Sequence, residues 1–197
     1  MTSQHNSHRR RFLGGAMRAA QVSAAAGLLM NGGRALAFSS PVLAPLSGSR
    51  SLSFDNLHTQ ESLRLVYAVG SDFVPQSLNR LNVFLRDHYS GTVGHMDPQL
   101  FDVLFRLRQV IGSRESFQVI SGYRSPATNE NLRETRAGGV AKHSLHMDGK
   151  AIDIRLPGTS LSDLHGAALS LQAGGVGFYP RENFVHIDTG RVRRWGG

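Results

Sequence analysis

Two histidines and two aspartates lie close together in the stretch KHSLHMDGKAIDIRL, residues 142–156, which then becomes apolar at alternate positions. Histidine nitrogens and aspartate oxygens are ligands that zinc takes in proteins. The chain has no cysteine, so any zinc site must be made of histidine and carboxylate. The stretch therefore predicts metal-binding residues at the start of a core strand.

The alternation in AIDIRL, residues 151–156, predicts a strand whose two faces differ. Its isoleucines share one face, so Asp153 lies on the other face, held by a rigid element. His146 comes seven residues earlier, and Gly149 between them can take a turn conformation that other residues avoid. The chain can therefore fold back so that His146 and Asp153 point at one spot.

The stretch NFVHID, residues 183–188, predicts a second strand with the same division of faces. Pairing of the two strands would bring His186 beside Asp153, and His146 would complete a set of two imidazoles and one carboxylate. A catalytic zinc site has three protein ligands and leaves one position for water. We therefore predict that Zn²⁺ is bound by His146, Asp153 and His186.

The order of the other elements predicts an α+β fold with a largely antiparallel sheet, because helices and strands mix without a strict βαβ order. A β-hairpin is expected over residues 50–70, and a short strand in SFQVIS. Helices are expected from Pro75, after the N-cap Asp97, after SGYRSP, and after Ser160 or Ser162. GGVGFYP, residues 174–180, resembles a turn, and the tail after residue 190, with Arg191, Arg193 and Arg194, is expected to be solvated.

Residues 1–37 have the three-part order of a twin-arginine-type signal peptide. Arg9-Arg10-x-Phe12-Leu13 is followed by a weakly apolar stretch and by Ala-Leu-Ala at residues 35–37. The apolar stretch is too short and too polar to span a bilayer stably. We expect an exported, periplasmic protein, with a linker over residues 38–50 and one catalytic domain over residues 51–197.

The net charge of +8 is largely a property of the signal peptide. Without the five arginines of residues 1–37, 17 basic residues remain against 14 acidic ones. A nucleic-acid partner is therefore not expected, whereas a modest positive charge suits an anionic cell-wall polymer.

Three blocks, in order, resemble the LAS zinc peptidases, the group of lysostaphin, the D-alanyl-D-alanine peptidases and the Hedgehog fold. They are SGYRSP at 121–126, S-x-H-x-x-G-x-A-x-D at 144–153, and the closing stretch 174–195. The span from about Arg50 to Trp195 looks like the murein endopeptidase K branch. The resemblance implies a Hedgehog/DD-peptidase-like fold, zinc on the same three residues, contact of Arg124 with substrate or oxyanion, and hydrolysis of peptidoglycan stem-peptide crosslinks.

The general base is left open by the sequence. Several relatives in this group carry Glu or Asp three residues before the last zinc histidine, where this chain has Asn183. Asp188 is the first candidate, either as the base or as a partner that orients a ligand, and Glu182 and His143 are alternatives. Asn183 also favours a rival function, a non-catalytic, zinc-stabilised peptidoglycan-binding module. A wall amidase is a second rival.

Overall fold

A computed structural model of the chain describes Leu46, residues 48–135 and residues 140–197. The predicted signal peptide, residues 1–37, and most of the predicted linker lie outside the described residues. The first strand begins at Ser49, two residues before the predicted start of the catalytic domain. No helix in the described part of the chain is long and apolar enough to cross a membrane.

The described residues form eight strands and four helices. The helices are α1 (Pro75–Phe84), α2 (Pro98–Ile111), α3 (Pro126–Thr135) and α4 (Leu161–Leu171). The strands are β1 (Ser49–Asn56), β2 (Ser62–Val69), β3 (Asp72–Phe73), β4 (Phe117–Ser121), β5 (Ala151–Arg155), β6 (Gly175–Tyr179), β7 (Phe184–Asp188) and β8 (Arg193–Gly196). The predicted hairpin and the four predicted helices are confirmed.

All eight strands belong to one sheet, in the order β3-β2-β1-β4-β5-β7-β6-β8. Five neighbouring pairs are antiparallel, and two pairs, β1 with β4 and β6 with β8, are parallel. The predicted α+β class with a mainly antiparallel sheet is therefore confirmed.

Two predictions about the C-terminal part of the domain are wrong. Residues 174–180 are not a turn, because most of them form β6. Arg193 of the tail is not solvated, because it lies half-buried in a further strand, β8, and binds Asp188. Arg191 and Arg194 are exposed, as predicted. Glycine is usually unfavourable in strands, which is why the glycine-rich stretch resembles a turn. Here the backbone of β6 is held by hydrogen-bonded ladders to β7 on one side and to β8 on the other.

The hydrophobic core unites α1, α2 and α4 with the central strands of the sheet. Ile152 and Ile154 of β5, and Val185 and Ile187 of β7, are almost completely buried in it. Because successive residues of a strand point to opposite faces, the residues between these apolar side chains lie on the other face of the sheet. This confirms the predicted division of faces in both strands.

A buried aspartate holds the loop that follows β4. Asp87 accepts hydrogen bonds from the backbone N–H groups of Tyr89 and Ser125, each at 2.9 Å. Burial alone raises the pKa of Asp87, but hydrogen bonds from Thr128, Ser125 and Tyr89 outweigh burial and hold this pKa well below its usual range. Since Ser125 directly follows Arg124, this carboxylate fixes the predicted arginine loop.

Replacing Asp87 by alanine should lower the free energy of unfolding at neutral pH by about 3 kcal/mol, because buried N–H groups lose a charged acceptor. A carboxyl whose pKa is depressed by folding stabilises the protein above the pKa of the unfolded chain, about 3.9. This stabilisation is lost as the pH falls toward the folded-state pKa, so the variant should lose less stability in acid than the parent protein.

Urea unfolding of both proteins at neutral pH and in acid measures the two effects. Replacement of Asp148, which is exposed, by alanine is the matched control. An equal loss of stability in the two variants would contradict the role of Asp87.

Candidate metal centre

Strands β5 and β7 place Asp153 and His186 directly opposite each other in their antiparallel register, as predicted. The Nδ1 atom of His186 lies 2.8 Å from Oδ1 of Asp153. His146, from the loop before β5, places its Nε2 atom 3.2 Å from Nδ1 of His186 and 3.3 Å from the same Asp153 oxygen. The three side chains are buried and surround one point.

The second nitrogen of each imidazole is held outside this cluster. Nδ1 of His146 lies 2.7 Å from the carbonyl oxygen of Gly122, and Nε2 of His186 lies 3.1 Å from Oδ2 of Asp188. Carbonyl and carboxylate oxygens only accept, so each outer nitrogen carries a hydrogen, and each ring in its neutral form would offer the lone pair of its inner nitrogen to a metal. Metal-binding histidines are typically held in this way by an outer acceptor.

The donor set of the cluster fits zinc. One ligand atom from each of His146, Asp153 and His186 can be chosen so that all three lie within 4.8 Å of one another. Two imidazole nitrogens and one carboxylate oxygen are ligands that zinc prefers, and three such ligands leave a position open. Among the described residues, no other group of three or more such side chains is close enough to hold a metal ion.

The charges in the cluster compensate each other. Burial alone raises the pKa of Asp153, but the charges and hydrogen bonds of His146 and His186 outweigh burial and keep this pKa below its usual range. Burial alone lowers the pKa of His186, yet the carboxylates of Asp153 and Asp188 raise it to about 9. The site therefore favours positive charge, and a bound cation would have to displace the proton of His186.

Asp188 lies behind His186 rather than beside the ligand atoms. It is fully buried and accepts from the N–H groups of Gly175 and Gly190, at 2.9 and 2.8 Å, and from the guanidinium of Arg193 at 2.8 Å. Burial alone raises the pKa of Asp188, but hydrogen bonds from His186, Arg193 and the two N–H groups hold it well below its usual range. The carboxylate is thus occupied with orienting the imidazole.

A glycine and an aspartate fix the loop that carries His146. Gly149 has a φ of +66°, and a Cβ atom at this position would lie 1.9 Å from the carbonyl oxygen of His95. The carbonyl of Gly149 accepts from the N–H of Asp97 at 2.9 Å. The Asp97 side chain caps α2 and accepts from the hydroxyl of Thr189 at 2.7 Å. The loop is therefore tied to a helix start and to the residue after β7.

Arg124 is linked to His146 through the backbone, because its N–H donates to the His146 carbonyl at 3.2 Å. Its Nη1 atom lies 3.4 Å from Oδ1 of Asn129, a buried residue of α3. Asn129 in turn donates to the carbonyl oxygen of Ala141 at 3.1 Å. The arginine is thereby attached both to α3 and to the segment that leads to His146.

The other candidates for the general base lie on exposed segments and outside the three-residue cluster. Glu182 and Asn183 are exposed in the turn between β6 and β7. Asn183 has a φ of +56°, a left-handed conformation that asparagine tolerates better than most residues. His143 is exposed, three residues before His146 in the chain.

Reasoning from the sequence missed two residues of the site, Arg193 and Trp195. Arg193 binds Asp188, and the ring centroid of Trp195 lies 5.1 Å from that of His186. The available signal was their spacing of two, which puts both side chains on one face of a strand. This spacing places Arg193 and Trp195 near the site only if the tail forms a strand that pairs with β6, which the sequence did not indicate.

The family model described as peptidoglycan L,D-endopeptidase MepK matches residues 45–195 of the chain. The chain belongs to this family. The peptidoglycan L,D-endopeptidase MepK of Escherichia coli K12 is 47% identical over 173 residues, which cover 85% of this chain and 94% of that protein. The probable peptidoglycan L,D-endopeptidase MepK of Haemophilus influenzae is 42% identical over 149 residues, which cover 75% of this chain and 80% of that protein.

Membership of the MepK family confirms the resemblance to the murein endopeptidase K branch that the motifs indicated. It also confirms that the chain is an enzyme, a peptidase, and that its family acts on peptidoglycan. The roles of individual residues in this member of the MepK family stay predictions, supported by the geometry of the cluster.

Replacing Gly149 by alanine should destabilise this MepK-family chain by about 3 kcal/mol or more, because strain and a backbone clash add. Gly158 is the matched control, since its φ is also positive, at +73°, but nothing lies within 4 Å of the position of its missing Cβ. The control substitution should cost only about 1 kcal/mol. Urea unfolding measures both values, and equal losses would show that the contact with His95 is unimportant.

Proposed function

We propose that the chain is a zinc-dependent murein endopeptidase that hydrolyses peptide crosslinks of peptidoglycan during cell-wall remodelling. The observation that carries the proposal is the buried cluster of His146, Asp153 and His186, whose inner ligand atoms converge while both outer imidazole nitrogens are held by acceptors. The family supports peptidoglycan as the substrate, because the relatives named above are peptidoglycan L,D-endopeptidases.

In the proposed centre His146 offers Nε2, His186 offers Nδ1 and Asp153 offers an oxygen to the metal. A bound zinc ion would supply an activated water, since zinc lowers the pKa of the water it binds to about 7, and would polarise the peptide carbonyl. The carboxylate of Asp153 compensates the charge of the cation. The acceptors Gly122 and Asp188 keep the two imidazole rings in the orientation and tautomer that ligation needs.

Arg124 is the proposed contact for the substrate or for the developing oxyanion. Amide hydrolysis places negative charge on the carbonyl oxygen, and a fixed cation near that oxygen lowers the barrier. The backbone hydrogen bond from Arg124 to His146 keeps the arginine beside the loop that carries His146, which we name the ligand loop. Its contact with Asn129 holds the guanidinium to α3.

We propose that Asp188 orients His186 and does not act as the general base. A base must reach the attacking water or the leaving amine, directly or through one water. The carboxylate of Asp188 is fully buried on the outer edge of the His186 ring and already accepts from four groups. Glu182 and His143, both exposed, are the two proposed candidates for proton transfer.

Loss of either histidine ligand should remove zinc. Wild-type protein should carry about one zinc per chain, and His146→Ala and His186→Ala should carry a small fraction of that. Wild-type protein should release soluble muropeptides from purified sacculi, and a chelator or either substitution should stop this release. Elemental analysis measures the zinc content, and mass spectrometry of the soluble products measures the release of muropeptides.

His95→Ala is the matched control, because His95 is exposed and lies outside the cluster. Normal zinc content in both ligand variants would contradict the metal site. Zinc binding without release of muropeptides would favour the non-catalytic binding module, for which Asn183 at the usual position of the base is the supporting observation. Product masses that correspond to a cut between sugar and peptide would indicate an amidase.

Asp188→Asn should lower zinc affinity by about 10- to 100-fold, the usual effect of losing an outer partner of a metal-binding histidine. At saturating zinc its rate should return toward that of the parent protein. Zinc competition and muropeptide release are measured for this variant beside Glu182→Gln and His143→Ala. If Asp188→Asn kept its zinc affinity but lost about 10²- to 10⁴-fold in rate at saturating zinc, Asp188 would be the general base.

We further propose export through the twin-arginine pathway, with residues 1–37 as the signal peptide. The family's peptidoglycan substrate requires a location outside the cytoplasm, which supports export in general. Changing Arg9 and Arg10 together to lysine should leave unprocessed precursor inside the cell, because a receptor reads the arginine pair. Immunoblots of cell fractions measure this, with Arg11→Lys as control, and normal export of the double variant would exclude this route.

A further inference from the structure

Strand β6 has glycines at the two positions where β7 and β8 carry their site residues. Gly177 is paired with His186 of β7 on one side and with Trp195 of β8 on the other. Side chains two strands apart are separated by about 10 Å of sheet and normally by the side chain of the middle strand. Because glycine has no side chain, residues of β7 and β8 can meet above β6.

The space above both glycines is filled by these residues. A Cβ atom on Gly175 would lie 2.4 Å from Nη1 of Arg193 and 2.5 Å from Oδ2 of Asp188. A Cβ atom on Gly177 would lie 2.7 Å from Cε2 of Trp195. Arg193 thus reaches Asp188 across the first glycine, and the indole of Trp195 lies across the second, next to the ring of His186.

The indole of Trp195 has a fixed orientation. Its Nε1–H donates to the hydroxyl of Tyr179 at 2.7 Å, and the guanidinium of Arg193 lies 4.7 Å from its ring centroid. The ring of Tyr179 is stacked on that of Phe184, with centroids 4.6 Å apart. Trp195, Tyr179 and Phe184 are all partly exposed and share the face of the sheet that carries His186, and we name them the aromatic row.

The aromatic row and Arg124 lie on opposite sides of the candidate metal centre. Arg124 follows β4, the ligands Asp153 and His186 are on β5 and β7, and Trp195 is on β8. The strand order β4-β5-β7-β6-β8 therefore puts the ligands between the arginine and the tryptophan. An endopeptidase must hold peptide on both sides of the bond that it cuts, whereas Arg124 alone holds one side.

We propose that Trp195, supported by Tyr179 and Phe184, forms the wall of the substrate cleft that binds one arm of the crosslinked peptide through its aliphatic part. This inference rests on the proposed endopeptidase function. A partly exposed aromatic ring offers a large, rigid apolar surface at low conformational cost, and aliphatic chains gain free energy by covering it. Trp195 touches the ring of His186, so an arm that covers the indole lies next to the bond to be cut.

Kinetics with a soluble crosslinked muropeptide dimer test this assignment. Trp195→Leu should keep about one zinc per chain and raise KM about 10-fold, with a much smaller change in kcat. Phe178→Leu is the matched control, because Phe178 is the neighbouring aromatic residue of β6 on the core face, and its KM should stay unchanged. An unchanged KM in Trp195→Leu, or a parallel loss of zinc and activity, would overturn the proposal, since either result assigns the indole to structure alone.

Fluorescence provides a readout in the unaltered protein, because Trp195 is the single tryptophan of the chain. The peptide products of this dimer, added at saturating concentration to the zinc-loaded enzyme, should lower the quenching of this tryptophan by acrylamide. Quenching that does not change would overturn the proposal even if Trp195→Leu failed to fold. If the wild-type protein releases no muropeptides, the proposed function fails and this inference fails with it. If the wild-type protein releases muropeptides but the quenching of Trp195 does not change, only this inference is contradicted.

Discussion

The register between β5 and β7 is the constraint on which the rest of the site depends. Asp153 faces His186 only because the two strands pair at that position, and a slip of one residue would turn one of the two side chains to the opposite face. The same slip would expose Ile152 or Ile187, which are buried in the core. Hydrophobic burial on one face therefore secures the arrangement of polar groups on the other.

Three buried charges and the half-buried Arg193 form a row in which the sign alternates. Asp153, His186, Asp188 and Arg193 follow one another through contacts of 2.8 to 3.1 Å. An isolated buried charge would cost several kcal/mol, but here each charge has an opposite neighbour and further hydrogen bonds. The row runs from the cluster of ligands outward to β8, so the orientation of a candidate ligand depends on a strand that contributes no ligand. Glycine in β6 is what allows this dependence.

The sequence predicted most of the fold where the signals were local. Alternation identified β5 and β7, and the N-cap Asp97 with Pro98 identified the start of α2, because these patterns involve residues that are close in the chain. The strand β6 was missed because its glycines are favourable only between β7 and β8. The position of Asp188 behind His186 also depended on contacts from Gly175 and Arg193, which no local pattern encodes.

The junction at Asp97 links the site to the cooperative unfolding of the domain. One residue caps α2, holds the carbonyl of Gly149 in the ligand loop and binds Thr189 beyond β7. Segments that share such a residue open together, because local opening would break bonds in all of them at once. The ligand loop therefore belongs to the same folding unit as the core helix α2. Opening of this loop at Asp97 would also remove the cap of α2, so fluctuations that disorder the site carry the added cost of fraying a core helix.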